Sequence, residues 1–266
     1  MDYKEIILKT LYKVQNTIKT RYLKGNHIEL DKGAFGDIQY DIDILAEETI
    51  INTIKMEMPN STIVSEETGI IQGNNNKIIL IDPIDGSLNS IRGIPFFSST
   101  IAIAKNQNFS DIIAAGVVDI IQENFYYGDE NGAIMNNVKI NPNKTNELKD
   151  SLIALDLNIR TESGKEVFKK TRTLFEKTKT QRIMGSAIIE NMYVASGKID
   201  AYIAPSRQLR TFDCLPAMYI SKIAGASIQF FNKENDFNIL SKERVSFINA
   251  CTNELRKKIL NELDIT

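Results

Sequence analysis

The stretch Ile78-Ile-Leu-Ile-Asp82-Pro-Ile-Asp85-Gly-Ser87-Leu-Asn89 decides how this sequence is read. Its run of branched apolar residues predicts a buried strand, Lys77–Asp82, that ends in a carboxylate. A proline-stiffened turn then presents a second carboxylate at Asp85, and Gly86 and Ser87 follow where a short helix can begin. Two carboxylates at the C-terminal end of a strand can share a hard cation such as Mg²⁺, which prefers oxygen ligands. Backbone N–H groups at a helix start can hold phosphate oxygens, and a glycine lets the backbone come close to them. Taken singly, Asp-Pro and Asp-Gly are ordinary turn dipeptides. A buried strand ending in Asp also describes a Walker B element. However, the chain contains no Gly-x-x-x-x-Gly-Lys-Ser/Thr loop, so a P-loop ATPase fails.

Composition narrows the chemistry further. The 266 residues are 42% hydrophobic and 25% charged, and 32 basic against 34 acidic side chains leave a net charge of -2. That balance suits a soluble globular protein and offers no polyanion-binding surface, so no nucleic-acid polymer is expected as a partner. No apolar run approaches the ~20 residues of a membrane helix, and the N-terminus has no signal-peptide core, so no membrane is expected either. Cys214 and Cys251 lack a close-spaced thiol partner, which suggests a reducing cytoplasm. His27 is the single histidine and sits in a polar stretch, Lys24-Gly-Asn-His-Ile28. His-rich zinc sites are excluded, and any enzyme chemistry should rest on carboxylates, hydroxyls and hard metal ions.

Outward from the central stretch, Ile7, Leu11, Val14 and Ile18 mark one apolar stripe of a first helix ending near Leu23. A second helix is expected from Asp41 to Met58, stopped by Pro59. Strand patterns follow at Thr62–Ser65, Ser98–Lys105, Ile112–Ile120 and Asn124–Tyr127, so the first half reads as two helices covering an antiparallel sheet. The polar segment Asn141–Asp150 is the best boundary and divides the chain into halves 1–145 and 146–266. Beyond it strands and helices alternate: Leu152–Leu157, Glu166–Glu176, Gln181–Met184, Ala187–Ala195, Ala201–Ala204, Phe212–Ala224, Val245–Ala250 and Asn253–Leu263. This half reads as a layered α/β unit.

Asp82-Pro-Ile-Asp85-Gly-Ser87 resembles the Asp-Pro-(Ile/Leu)-Asp-Gly-(Thr/Ser) signature of the inositol monophosphatase-like, Mg²⁺-dependent sugar phosphatases. Collinear matches flank it. Ser65-Glu66-Glu67 looks like the Gly-Glu-Glu element of that family, and Asp43 with Glu47 fits its Asp-x-x-x-Glu. Downstream, Gly185-Ser186-Ala187, Tyr193 to Tyr202, and Phe212-Asp213 through Ala226 look like the motifs of its second half. Asp41-Ile-Asp43 also has the Asp-x-Asp form that opens haloacid-dehalogenase-like phosphatases. Those phosphatases place it after an apolar strand, whereas Gly36-Asp-Ile-Gln-Tyr40 precedes it here.

The resemblance implies a five-layer α-β-α-β-α sandwich, an α/β (α+β) fold, and a phosphomonoesterase acting on small phosphorylated metabolites. It implies Glu66, Asp82, Asp85, Asp213 and the Ile84 carbonyl as ligands of two or three Mg²⁺ ions. Four converging carboxylates repel one another, which calls for the same compensation. Asp43, Ser87 and Glu66 would be catalytic, with the Ser87 hydroxyl orienting water and Asp43 as its acceptor. The Gly86 and Ser87 amides would hold phosphate, and Gly185 and Ser186 would line the substrate side. Glu47 suits a salt-bridged structural role as well as a catalytic one. A homodimer is implied by the resemblance alone.

The pattern breaks in two places. Phe35 stands for an acid in the loop Gly33-Ala-Phe-Gly-Asp37, which touches the third metal and the catalytic flap. Ala204 stands where an acid commonly meets substrate hydroxyls, and Arg207 and Arg210 nearby suit either a second phosphate or a surface ion pair. Inositol monophosphate and fructose 1,6-bisphosphate lead as substrates. A 3′(2′),5′-bisphosphate nucleotidase or NADP(H) phosphatase is the same-class alternative. A catalytically weakened regulator that binds phosphometabolites is the different-class one. Cys214, expected in the first turn of the helix from Phe212, is read as a passive buried thiol or one activated by the helix dipole.

Overall fold

The structure is a computed structural model that describes residues 2–25, 28–34, 38–157, 162–231 and 236–263. His27, Phe35 and Asp37 lie outside the described residues. The N-terminal half runs α1 (Tyr3–Lys24), β1 (Glu29–Lys32), β2 (Ile38–Tyr40), α2 (Asp41–Glu57), β3 (Thr62–Ser65), β4 (Gly69–Ile71), β5 (Ile78–Asp85) and α3 (Ser87–Ile91). It continues with β6 (Ser98–Ala104), β7 (Ile112–Asp119), β8 (Asn124–Asp129), β9 (Gly132–Met135) and β10 (Val138–Lys139). The remainder runs β11 (Leu152–Leu155), α4 (Glu162–Lys177), β12 (Thr180–Arg182), α5 (Ala187–Ala195) and β13 (Ala201–Leu209). It closes with α6 (Leu215–Ala224), β14 (Ser227–Phe230), β15 (Val245–Ala250) and α7 (Asn253–Leu263).

Strand alternation builds the layers, because successive side chains leave a strand on opposite faces. Ile79 and Ile81 of β5, with Ile101 and Ile103 of β6, join the apolar stripes of α1 and α2 in one core. Ile78, Leu80, Ala102 and Ala104 face the other way, onto Ile188 and Met192 of α5 and Met218 and Ile220 of α6. The second sheet repeats the device: Ala154, Tyr202 and Ala204 join that central core, while Ile153, Leu155, Ala201 and Ile203 pack with α4 and α7. The eight-stranded sheet has the order β10-β9-β8-β7-β6-β5-β3-β4, and the five-stranded sheet β12-β11-β13-β15-β14. The outcome is the five-layer α-β-α-β-α sandwich that the sequence predicts. Its middle helical layer belongs to both sheets at once.

The differences from the expected elements have local causes. β5 does not end at Asp82. It continues to Asp85 with an irregular register against β6 between those residues, so the proline sits in a strand bulge rather than a turn. The polar loop before α2 contains the antiparallel pair β1–β2, whose sequence carries no alternation to announce it. The helix expected from Phe212 begins at Leu215, with Cys214 as its N-cap. β13 runs to Leu209 rather than Ala204, its pairing with β15 shifting between those two residues. The polar segment Asn141–Asp150 is pinned to the second sheet: Asn143 Nδ2 and Leu152 N donate to the two oxygens of Asp200 at 2.9 and 2.7 Å.

Gly116 of β7 shows how closely α1 lies on the large sheet. A Cβ there would stand 2.3 Å from Ile7 Cγ2 and 2.9 Å from Leu11 Cδ1, both fully buried. Gly116→Ala should therefore destabilise the protein by about 1–3 kcal/mol through overpacking. A lowered urea midpoint at unchanged slope is the expected reading, and an unchanged midpoint would refute the close packing.

Candidate active site

Parallel pairing of β3 with β5 sets the site. Ser65 is level with Ile81, so the next residues, Glu66 just past β3 and Asp82 within β5, come side by side. The β5 bulge then turns Asp85 toward the N-terminus of α5, where its Oδ2 accepts the Ser186 hydroxyl and Ile188 N at 2.9 Å. Gly86 follows with φ +89°, and a side chain there would crowd Phe96 O at 3.1 Å and Gly185 O at 3.3 Å. A glycine is required for both reasons. Gly86 caps α3, in which Asn89 Nδ2 donates to Phe96 O at 2.8 Å and to Met184 O at 2.9 Å. Asn89 thus ties α3 to the Gly185 turn that brings in Ser186. Its neutral amide in a polar run gave the sequence reading no signal.

From the other sheet, the segment after β13 delivers Asp213. One oxygen from each of Glu66, Asp82 and Asp213 lies within 4.8 Å of the others. Asp43, in the first turn of α2, completes the acid group; its Oδ2 accepts Tyr40 N at 3.0 Å. Asp82 Oδ1 and Asp43 Oδ1 are buried without a hydrogen-bond partner among the described residues. Burying carboxylate oxygens so bare is costly unless something positively charged meets them.

Electrostatics carry that strain. Burial, followed by the charge of Asp213, holds the Glu66 carboxyl well above its usual range. Burial and then Glu66 do the same to Asp82. Burial raises Asp213 as well, and pushes Asp85 up to about 7 against the hydrogen bonds from Ser186 and Ile188. Asp43 is pushed up to about 8 by burial and by Glu67, and Glu67 itself to about 7 by burial. An all-oxygen donor set with a bare buried oxygen and this much repulsion fits hard divalent cations. The residues present therefore suit the metal that the sequence implied.

The other expected residues divide. Ser87 Oγ donates to Ile84 O at 2.8 Å, so the hydroxyl leans on that carbonyl while lying near enough to Asp43 to lower its carboxyl. Glu47 makes no salt bridge among the described residues. It accepts the Ser65 and Thr68 hydroxyls and Thr68 N at 2.9 Å, bracing the turn that carries Glu66 and Glu67. Of the two readings open for Arg207 and Arg210, the surface ion pair is found at neither among the described residues. Arg207 is exposed, at φ +51°, with no ion pair among the described residues. Arg210 is buried, 5% exposed, and pairs with Glu66. Cys214 is fully buried, and burial pushes its thiol well above the usual range, against activation by a helix dipole. Glu190 of α5, which the sequence reading passed over, is a further buried acid raised to about 8, chiefly by burial. Its helical position, one turn into an apolar element, looks like any solvated glutamate in sequence.

Known proteins resemble this chain in sequence and in fold. A 29% identical relative, "Nus factor SuhB" of Haemophilus influenzae, aligns over 97% of this chain and 94% of its own. A fructose-1,6-bisphosphatase of Pyrococcus furiosus is 32% identical over 86% of this chain and 85% of its own. Among solved structures, the extragenic suppressor protein suhB of Bartonella henselae shares the fold at a TM-score of 0.87, with 21% identity, 99% of this chain and 98% of that one covered. The inositol monophosphatase family matches residues 3–264, nearly the whole chain. On that match, this chain belongs to the inositol monophosphatase family.

Proposed function

We propose that this phosphoric monoester hydrolase acts on small sugar or polyol phosphates, inositol monophosphate and fructose 1,6-bisphosphate foremost, with Mg²⁺ as its metal. The observation that carries the reading is the convergence of Glu66, Asp82 and Asp213 within 4.8 Å around the bare Asp82 Oδ1. Glu66, Asp82, Asp85, Asp213 and the Ile84 carbonyl would hold two or three ions. When bound, such ions neutralise phosphoryl oxygens and make water more acidic.

The chain's own groups supply the rest. The Gly86 and Ser87 amides, at the start of α3, point donors at a phosphate oxygen. Ser87 Oγ accepts from the attacking water while its own proton turns from Ile84 O toward Asp43. Burial and Glu67 raise the Asp43 carboxyl in the metal-free fold, and a cation held beside it would favour the ionised form that accepts a proton. Ser186, fixed on Asp85, and Gly185 border the substrate side, and exposed Arg207 offers a cation to a second phosphate. With Ala204 buried in β13, no acid at that position meets a substrate hydroxyl. That favours phosphate recognition over polyol recognition.

Phosphate release from a panel of inositol monophosphate, fructose 1,6-bisphosphate, a 3′(2′),5′-bisphosphate nucleotide and NADP, with Mg²⁺ and with EDTA, tests the reading. Turnover should require Mg²⁺ and be greatest on the sugar or polyol esters. No metal-dependent release on any member by folded protein would leave the regulatory alternative standing. Ser87→Ala should lower kcat about 100-fold, the scale of one lost proton-handling group, and Ser87→Thr should retain most of it.

Metal-free protein should also show the cost of the acid cluster. Asp and Glu ionise at 3.8 and 4.5 in the open chain but at about 7 to 8 at Asp43, Glu67 and Asp85 in the fold. The folded state keeps protons that the unfolded chain has released, so stability falls as pH rises from about 4 to about 8. Melting in EDTA across that range should show the decline, and Mg²⁺ should flatten it. A metal-free Tm that rises toward pH 8 would contradict the assignment.

A further inference from the structure

We propose that the Arg210 guanidinium is a resident counter-ion of the carboxylate cluster and competes with a divalent cation for Glu66. The inference rests on reading the cluster as a cation site. Arg210 Nη1 lies 2.7 Å from Glu66 Oε1, with the two side chains 6% and 20% exposed. The pair is therefore screened little by water, unlike the surface ion pairs elsewhere on the molecule.

Its position is built, not incidental. Arg210 N donates to Asp213 Oδ2 at 2.7 Å, so the backbone of the arginine and the second carboxylate are locked together. The Cys214 thiol donates to Arg210 O at 3.2 Å, and the guanidinium lies 5.6 Å from the centre of the Phe212 ring. These contacts aim one side chain across the gap between the two sheets at the other sheet's carboxylate. Arginine keeps its charge in such surroundings, where a lysine could shed a proton.

Competition follows from the shared atom. Glu66 Oε1 cannot serve the guanidinium at 2.7 Å and a cation at full strength together. A dication arriving at Glu66 must displace Arg210 first. Arg210 thus weakens cation binding wherever Glu66 is a ligand. Arg210 is a positioning residue here, touching a ligand rather than the substrate.

A purely structural role makes the opposite prediction, that losing Arg210 loosens Glu66 and weakens cation binding. Mg²⁺ titration by calorimetry on metal-free protein separates the two. In Arg210→Gln, Mg²⁺ binding should tighten about tenfold, while the metal-free Tm at pH 8 drops. In a Glu66→Gln background, adding Arg210→Gln should bring no such tightening. Weaker or unchanged binding in Arg210→Gln overturns the proposal. Absence of Mg²⁺ binding by the parent protein overturns the metal reading instead. Should Arg210→Gln fail to fold, the nitrogen-15 guanidinium signal of Arg210 in the parent protein decides. Its slowly exchanging protons should become fast-exchanging on saturation with Mg²⁺, and unaltered exchange overturns the proposal.

Discussion

Carboxylates crowded at one point and short of compensating charge are the constraint on which the rest of this molecule depends. Glu66, Asp82 and Asp213 come within 4.8 Å of one another, with Asp43 and Asp85 beside them, and burial raises every one. A fold that only needed to be stable would not assemble them. The surroundings bear the burden in pieces: Ser186 and Ile188 serve Asp85, Tyr40 N serves Asp43, and Arg210 serves Glu66 and Asp213. The oxygens left bare mark where a cation belongs.

The layered architecture makes that crowding affordable. Two sheets share the helical layer of α5 and α6, so strand ends from both meet at one edge, and Glu66 and Asp213 sit on the segments that directly follow β3 and β13. Rigid strands hold Ser65 and Ile81 in register, which sets Glu66 beside Asp82, and the β5 bulge swings Asp85 toward α5. Side chains on such elements are positioned more closely than side chains on loops. Close contacts such as α1 over Gly116 keep the scaffold from relaxing away from the strain at its edge.

Much of this was legible beforehand. Apolar alternation located α1, α2, α5 and the central strands within a few residues, because periodicity is local and burial follows it. The Asp82-Pro-Ile-Asp85-Gly-Ser87 run marked the cluster since strand, carboxylate and glycine had to occur together in order. The β1–β2 pair, β4 and β14 left little trace, being short strands at sheet edges where one face need not be apolar. The register shift of β5 and the late start of α6 at Leu215 were invisible too. Both arise from pairing with, or packing on, distant strands.

The sequence by itself therefore determined which chemistry was available. It holds one histidine, no P-loop, and acids at strand and helix ends in the order of a sugar phosphatase. Tertiary structure alone decided how those acids are compensated. Arg210 and Arg207 look equivalent along the chain, three residues apart and both basic. One turns inward to Glu66, 144 positions away, while the other stays exposed. Glu47, equally open in sequence, became a brace for Ser65 and Thr68. The physical reason is common to all three: a charged side chain's role depends on the partner that desolvates with it, and that partner lies on another element brought near only by the fold.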